Sequence, residues 1–287
     1  MGPFELGGPI GVECDKCGRG RSLLEHESKD PNAIFVCFQC KNKFTVLDGI
    51  INSITSDHPS AMYTFISTRS YSGIANIKVG ETQHISFPSP LKQVYKVFIT
   101  PYAECDVATS RVSNDGFWLV SGYTKNSQGC TIGSEAEVSW SVYGNDVDFN
   151  EAWRQLLVYS RQAYLAENYL GSILLSEIGF ESFIDASLSE GYKKNGLDDD
   201  SISRFLINTG MVDKVNPLMN NLFGLKLSNS SVWQDWEKRV LRWRNNIAHG
   251  SKVSATKDEA QMGFKTVIKA IFYFHKTVFE KCNDVYR

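Results

Sequence analysis

The sequence predicts a multidomain α+β chain in three consecutive parts: a zinc ribbon, an antiparallel β-sandwich and a C-terminal α-helical bundle. Three observations predict it. Two C-x-x-C pairs stand near the N-terminus, a stretch of period-two apolar alternation follows them, and after residue 148 the apolar period becomes helical. The expected boundaries are 1–50, 51–148 and 149–287. A chain of 287 residues exceeds one ordinary domain, and 42% apolar with 22% charged residues is a globular composition with material for a core. No run approaches the roughly eighteen apolar residues that cross a bilayer. The opening MGPFELGG lacks the basic and apolar regions of a signal peptide. The expected location is therefore the cytoplasm, with no membrane partner, and the seven cysteines are expected as thiols or metal ligands.

The ribbon rests on CDKC (Cys14, Cys17) and CFQC (Cys37, Cys40), nineteen residues apart. Each tight turn presents two thiolates, and the intervening hairpin returns the chain to complete a tetrahedral shell for one structural Zn²⁺ per chain. Four thiolates leave no open coordination position, so this metal has no catalytic role. Too few residues surround it to build a core unaided, which gives the ion its purpose.

The sandwich rests on alternation. In VYKVFIT, Tyr95, Val97 and Ile99 are expected on one face; in EVSWSVYG, Val138, Trp140 and Val142 are. Shorter strands are expected at MYTFIS, HISF and GFWLV, divided by turns such as SNDG. Cys105 and Cys130 are expected as buried small hydrophobes. The order ISF, KVFIT, SNDGFWLVSGYTK, EVSWSVYG resembles the H-type lectin sandwich over about seventy residues. That resemblance implies an unidentified ligand, with Trp118, Tyr123 and Trp140 as sugar-stacking candidates and core packing as the ordinary alternative.

In the helical part, Asp148 and Glu151 are expected to cap a long amphipathic run that breaks at Gly171 or Gly179. Shorter helices follow at DSISRFLI and VNPLMNNLF. Ser231 and Gln234 form a capping-box pattern before a helix whose Trp233, Trp236, Val240, Trp243 and Ile247 recur at spacings of 3, 4, 3 and 4, and Gly250 ends it. Thr256 and Glu259 cap a last helix with a stripe of Phe264, Val267, Ile268, Ile271, Val278 and Phe279. The pattern is that of an antiparallel bundle.

This third part is the one in which basic residues outnumber acidic ones. No acid occurs from Lys238 to Lys257, while Lys238, Arg239, Arg242, Arg244, Lys252 and Lys257 do. Lys238, Arg239, Arg242 and Lys252 are thus candidate RNA-phosphate contacts, against a solvated helix face as the plainer reading. Within the stretch stands WRNNIAHG. At 100° per residue Asn245 and His249 lie about 40° apart, but Arg244 and His249 about 140° apart. One straight helix does not wrap both around one atom; either its last turn distorts or a second copy completes the site.

RNNIAH resembles the R-x4-H motif of HEPN domains, with a polar Asn245 after the arginine, inside a bundle and followed by an apolar helix. The resemblance covers residues 149 onward. It implies a homodimer through the bundle, two motifs meeting at the interface, and metal-independent cleavage of RNA by Arg244, Asn245 and His249, in a defence or stress effector. The chemistry suits the residues: the 2′-OH of RNA is the nucleophile, histidine moves its proton near neutral pH, and a guanidinium holds two phosphate oxygens. The competing reading is a non-catalytic glycan- or protein-binding module that the bundle dimerises, with His249 serving only the helix dipole. His26, His58 and His84 carry no motif, and His275 is expected to be packed. Glu177 and Glu181, one turn apart, are candidates to line the Arg244 groove.

Overall fold

The two cysteine turns each close a short hairpin. β1 (Ile10–Glu13) pairs with β2 (Gly20–Leu23), and β3 (Ile34–Val36) with β4 (Lys43–Thr45). The computed structural model describes residues 10–23, 32–56, 62–63, 66–102, 105–122, 131–146 and 152–282. The expected Asp148–Glu151 cap, Tyr123, Cys130, His26 and His58 lie outside the described residues. Contacts within the chain gather into two units, one holding the ribbon and the helical region, the other the sandwich.

Thr45 ends β4 and caps α1 (Val46–Thr55), its Oγ1 accepting from the Asp48 N–H at 3.0 Å. The inner face of α1 lies flush on the ribbon. A Cβ on Gly49 would sit 2.6 Å from the Phe44 ring and 2.9 Å from Val12 Cβ. Arg161 closes the other end of α1, donating to the Ile54 and Ser56 carbonyls at 3.1 and 2.7 Å. The expected strand MYTFIS is instead helical at Met62, Tyr63 and Ile66, and Met62 and Ile66 are buried. Their i, i+4 spacing serves one helical face better than an alternating strand.

The sandwich has two three-stranded antiparallel sheets, in orders β5–β10–β7 and β6–β9–β8. The strands are β5 (Arg69–Lys78), β6 (Thr82–Ser86), β7 (Gln93–Pro101), β8 (Val107–Val112), β9 (Gly116–Ser121) and β10 (Glu135–Asn145). Ala75, Ile77, Phe117, Leu119, Val138 and Val142 from both sheets form one core, with Trp140 packed against it. On β7 the expected face is corrected. A register shift at Tyr143/Gly144 puts Val94, not Tyr95, beside Val97 and Ile99 against that core. Cys105 is buried as expected but disulfide-bonded rather than a free thiol.

The helical region comprises α2 (Ala152–Leu165), α3 (Tyr169–Lys194), α4 (Asp199–Ile207), α5 (211–223), α6 (233–248) and α7 (Lys257–Cys282). The long run breaks at Glu167, which takes a left-handed φ of 60°, and Asn168 then caps α3 at Gly171 N. Gly179 does not break it. A Cβ there would meet Leu156, Leu157 and the Trp153 carbonyl at 3.4 Å, so this glycine lets α2 and α3 cross closely. The capping box at α7 forms as expected: Glu259 N donates to Thr256 Oγ1 at 3.2 Å, and Thr256 N to Glu259 Oε2 at 2.9 Å. Phe264, Val267, Ile268, Ile271 and Val278 are buried, and α7 packs along α3. The Phe279 side chain lies outside the described residues. Besides Arg161, side chains of α7 tie the ribbon's helix to the bundle: Lys269 pairs with Asp48 at 2.8 Å, and Lys265 donates to Asn52 Oδ1 at 2.7 Å.

Candidate functional site

α6 begins at Trp233 with no side-chain cap, so the Ser231–Gln234 box is not formed; the Val232 carbonyl instead accepts from Trp236 N at 2.9 Å. The helix widens into a π turn over Trp236–Leu241 and resumes as a regular helix over Arg242–Ala248. Trp236 and Val240 are fully buried, whereas Trp243 and Ile247 are half-buried. The inserted residue of the wide turn rotates the lower half of the stripe partly out of the core.

The end of α6 is a Schellman motif. Ser251 N donates to the Asn246 carbonyl at 2.9 Å and Gly250 N to that of Ile247 at 3.0 Å, with Gly250 at φ +71°. His249 is the C-cap, exposed and already outside helical angles at φ −91°, ψ 5°. Its imidazole therefore stands at the solvent-exposed C-terminal end of α6.

One turn earlier, Arg244 is held from two sides. Its Nη2 donates to Glu181 Oε2 at 3.0 Å and its Nη1 to Asn245 Oδ1 at 3.1 Å. Glu181 belongs to a ladder of carboxylates along α3, each engaged by a different partner. Both oxygens of Glu177 accept from Trp236 Nε1 at 3.1 Å, and Asp185 pairs with the buried Lys214 at 2.7 Å. Glu177 is fully buried, and desolvation pushes its carboxyl up to about 8. The Trp236 N–H opposes that rise, the nearby Glu181 charge adds to it, and Arg244 opposes it. Glu181 thus meets Arg244 directly, whereas Glu177 is buried and turned to Trp236. The i, i+4 spacing flagged them in the sequence, but the burial of Glu177 was signalled only by its neighbours Ile173, Phe180 and Ile184.

Several cations of the acid-free stretch pair with acids on α6 itself or on neighbouring helices. Lys252 pairs with Glu259 at 3.0 Å and stands 5.7 Å from the Trp243 ring centroid; Arg239 pairs with Asp235 at 3.2 Å. Lys238 and Arg242 are exposed. Among the described residues, no side-chain hydrogen bond joins His249 to Arg244 or Asn245. His275 is packed as expected, stacked 6.2 Å from Phe183, and burial first, then the Arg154 charge, lowers it to about 3.

The four ribbon cysteines converge. Their sulfurs all lie within 4.8 Å of one another, with Cys14–Cys40 at 3.5 Å and Cys17–Cys37 at 3.6 Å. A tetrahedral zinc with bonds of about 2.3 Å needs sulfurs roughly 3.8 Å apart, so the set fits one structural ion. The two turns are built alike: Gly18 N donates to the Cys14 carbonyl and Lys41 N to that of Cys37, both at 2.9 Å. Gly18 and Lys41 occupy the same left-handed position, at φ 68° and 60°. N–H groups of Cys40 and Gln39 outweigh burial and lower Cys37 to about 6. At Cys17 the Arg19 N–H pulls downward, but burial and the three neighbouring thiols together push it up to about 12.

Among the described residues, Trp118 and Trp140 do not form one platform. Trp118 is 39% exposed and tilts against His84 at 4.9 Å, whereas Trp140 packs edge-on to Phe117 at 5.6 Å and over Gly73. No protein-family model, curated protein or solved structure matches the chain.

Proposed function

We propose that the helical region is a HEPN-like endoribonuclease acting without a catalytic metal. One observation carries the reading: Arg244, fixed by Glu181 and Asn245, stands one turn before an exposed histidine at a helix C-cap. An arginine steered by two acceptors keeps donors for phosphate oxygens, and an exposed imidazole presents its ring nitrogens to a substrate. His249 takes the 2′-OH proton or supplies one to the 5′-oxygen, Arg244 stabilises the charge developing on phosphorus, and Asn245 orients its neighbour. Exposed Lys238 and Arg242 steer the RNA backbone, with Arg239 and Lys252 adding charge once their own acids are displaced. The zinc ribbon is structural, with one ion bound by Cys14, Cys17, Cys37 and Cys40.

Arg244 and His249 diverge around α6, so the complete site uses two copies of the helix in a homodimer. Incubation of the purified protein with RNA tests the activity. Cleavage that disappears in His249→Ala, with the circular-dichroism spectrum unchanged, is expected; equal cleavage by that variant would remove the site assignment. Sedimentation at micromolar concentration is expected to give a dimer with and without RNA. A monomer in both would count against the shared site.

A further inference from the structure

The outer face of the β3–β4 hairpin is apolar and open to water. Ile34 is 64% exposed, Val36 48% and Phe38 57%. The alternation explains why. Phe35 and Phe44 take the inner face, 5.6 Å apart, with Phe44 against Gly49 of α1, so Ile34 and Val36 point away, and Phe38 continues the strip into the zinc turn. Single exposed hydrophobes are ordinary, but three at i, i+2 and i+4 form one surface.

Its rim is cationic. The Arg19 guanidinium lies 5.6 Å from the Phe38 ring centroid, Lys43 stands opposite Val36 in the strand register, and exposed Lys41 reaches the Phe38 carbonyl at 3.0 Å. The nearby Asp15 already accepts from Asn42 at 2.7 Å. An aromatic ring with cations on both flanks matches a ligand that alternates flat bases with phosphates. A protein partner is the poorer match. Three side chains on a two-stranded sheet offer far less than the roughly 800 Å² per partner of a stable protein interface. A short run of nucleotides needs one stacking platform and a few cations.

We propose that this face of the ribbon binds single-stranded RNA, with a base stacked on Phe38, neighbouring bases against Ile34 and Val36, and phosphates on Arg19, Lys41 and Lys43. The choice of RNA rests on the ribonuclease reading; the stacking and phosphate contacts do not.

The test uses the full chain and a fluorescent 2′-O-methyl oligouridine, which lacks the nucleophile for cleavage, so that binding is read separately from activity. Phe38→Ala is expected to weaken binding roughly tenfold or more, the loss of one base stack, while Phe38→Tyr retains it. Lys41→Ala with Lys43→Ala is expected to lower the dependence of log affinity on log salt by about 0.7 for each phosphate that is no longer neutralised. Zinc content should stay at the parent value in each. Parent-like affinity in both Phe38→Ala and the double lysine variant would overturn the proposal. So would unchanged affinity together with an altered sedimentation coefficient, which would make this face a protein interface. A chain that cleaves no RNA yet loses oligouridine on Phe38→Ala upholds this surface and sinks only the ribonuclease reading.

Discussion

Glu181 Oε2 accepts from Arg244 Nη2 at 3.0 Å, bridging α3 and α6 from positions 63 residues apart. The two side chains are 29% and 31% exposed, so the pair contributes under about 1 kcal/mol to stability. Its consequence is orientation. Glu181→Gln is expected to leave the melting temperature within a few degrees of the parent while lowering kcat on RNA on the order of tenfold, with KM less affected. Arg244→Ala should abolish cleavage. A parent-like kcat for Glu181→Gln would show that Arg244 is oriented by Asn245 and the substrate instead.

Glu177 supplies a pH signature. Its carboxyl sits at about 8 in the fold against an ordinary 4.5, so the folded chain keeps a proton that the unfolded chain releases between those values. Stability therefore falls as pH rises from about 4.5 to about 8 and levels off beyond, by an amount on the order of a few kcal/mol. The charges facing this group are Glu181 and Arg244, with Trp236 as its hydrogen-bond donor. Glu177→Gln should flatten the thermal-unfolding profile across that window and exceed the parent in stability above it. Parallel profiles for the two proteins would refute the assignment.

Gly49 tests how the ribbon is joined to the helices. A methyl there must displace the Phe44 ring or Val12, an overpacking that costs about 1–3 kcal/mol. Gly49→Ala should lower the unfolding midpoint and speed zinc loss to a chromogenic chelator, because Val12 and Phe44 lie beside the two cysteine turns. Elemental analysis of the parent should find one zinc per chain. Absence of zinc with four freely titrating ribbon thiols would overturn the metal assignment.

Product chemistry distinguishes the proposed mechanism from attack by water. With the 2′-OH as nucleophile, products carry a 2′,3′-cyclic phosphate or 3′-phosphate and a free 5′-OH, and cleavage persists in chelator while the structural zinc stays bound. A substrate with 2′-deoxy sugar at the scissile position should be inert. Cutting of that substrate, or 5′-phosphate ends, would remove the mechanism while leaving a nuclease.

The sequence by itself determined whatever depends on a few neighbouring residues. Cys14, Cys17, Cys37 and Cys40 announce their centre because each turn is local; Thr256 with Glu259 and the α7 stripe follow from a helical period; Val138, Trp140 and Val142 follow from a strand period. Local patterns misled where packing outweighed them. Gly179 serves a helix crossing rather than a break, Tyr95 yields its face to Val94 at a bulge, and Ser231 caps nothing because Val232 occupies the N-cap of α6. The acid-free run from Lys238 to Lys257 looks uniformly basic in one dimension. Only the tertiary structure brings Glu181 to Arg244 and Glu259 to Lys252, and buries Glu177 against Trp236. Charge and pKa depend on distance in space and on exclusion of water, and in this fold both are set by how α3, α6 and α7 pack.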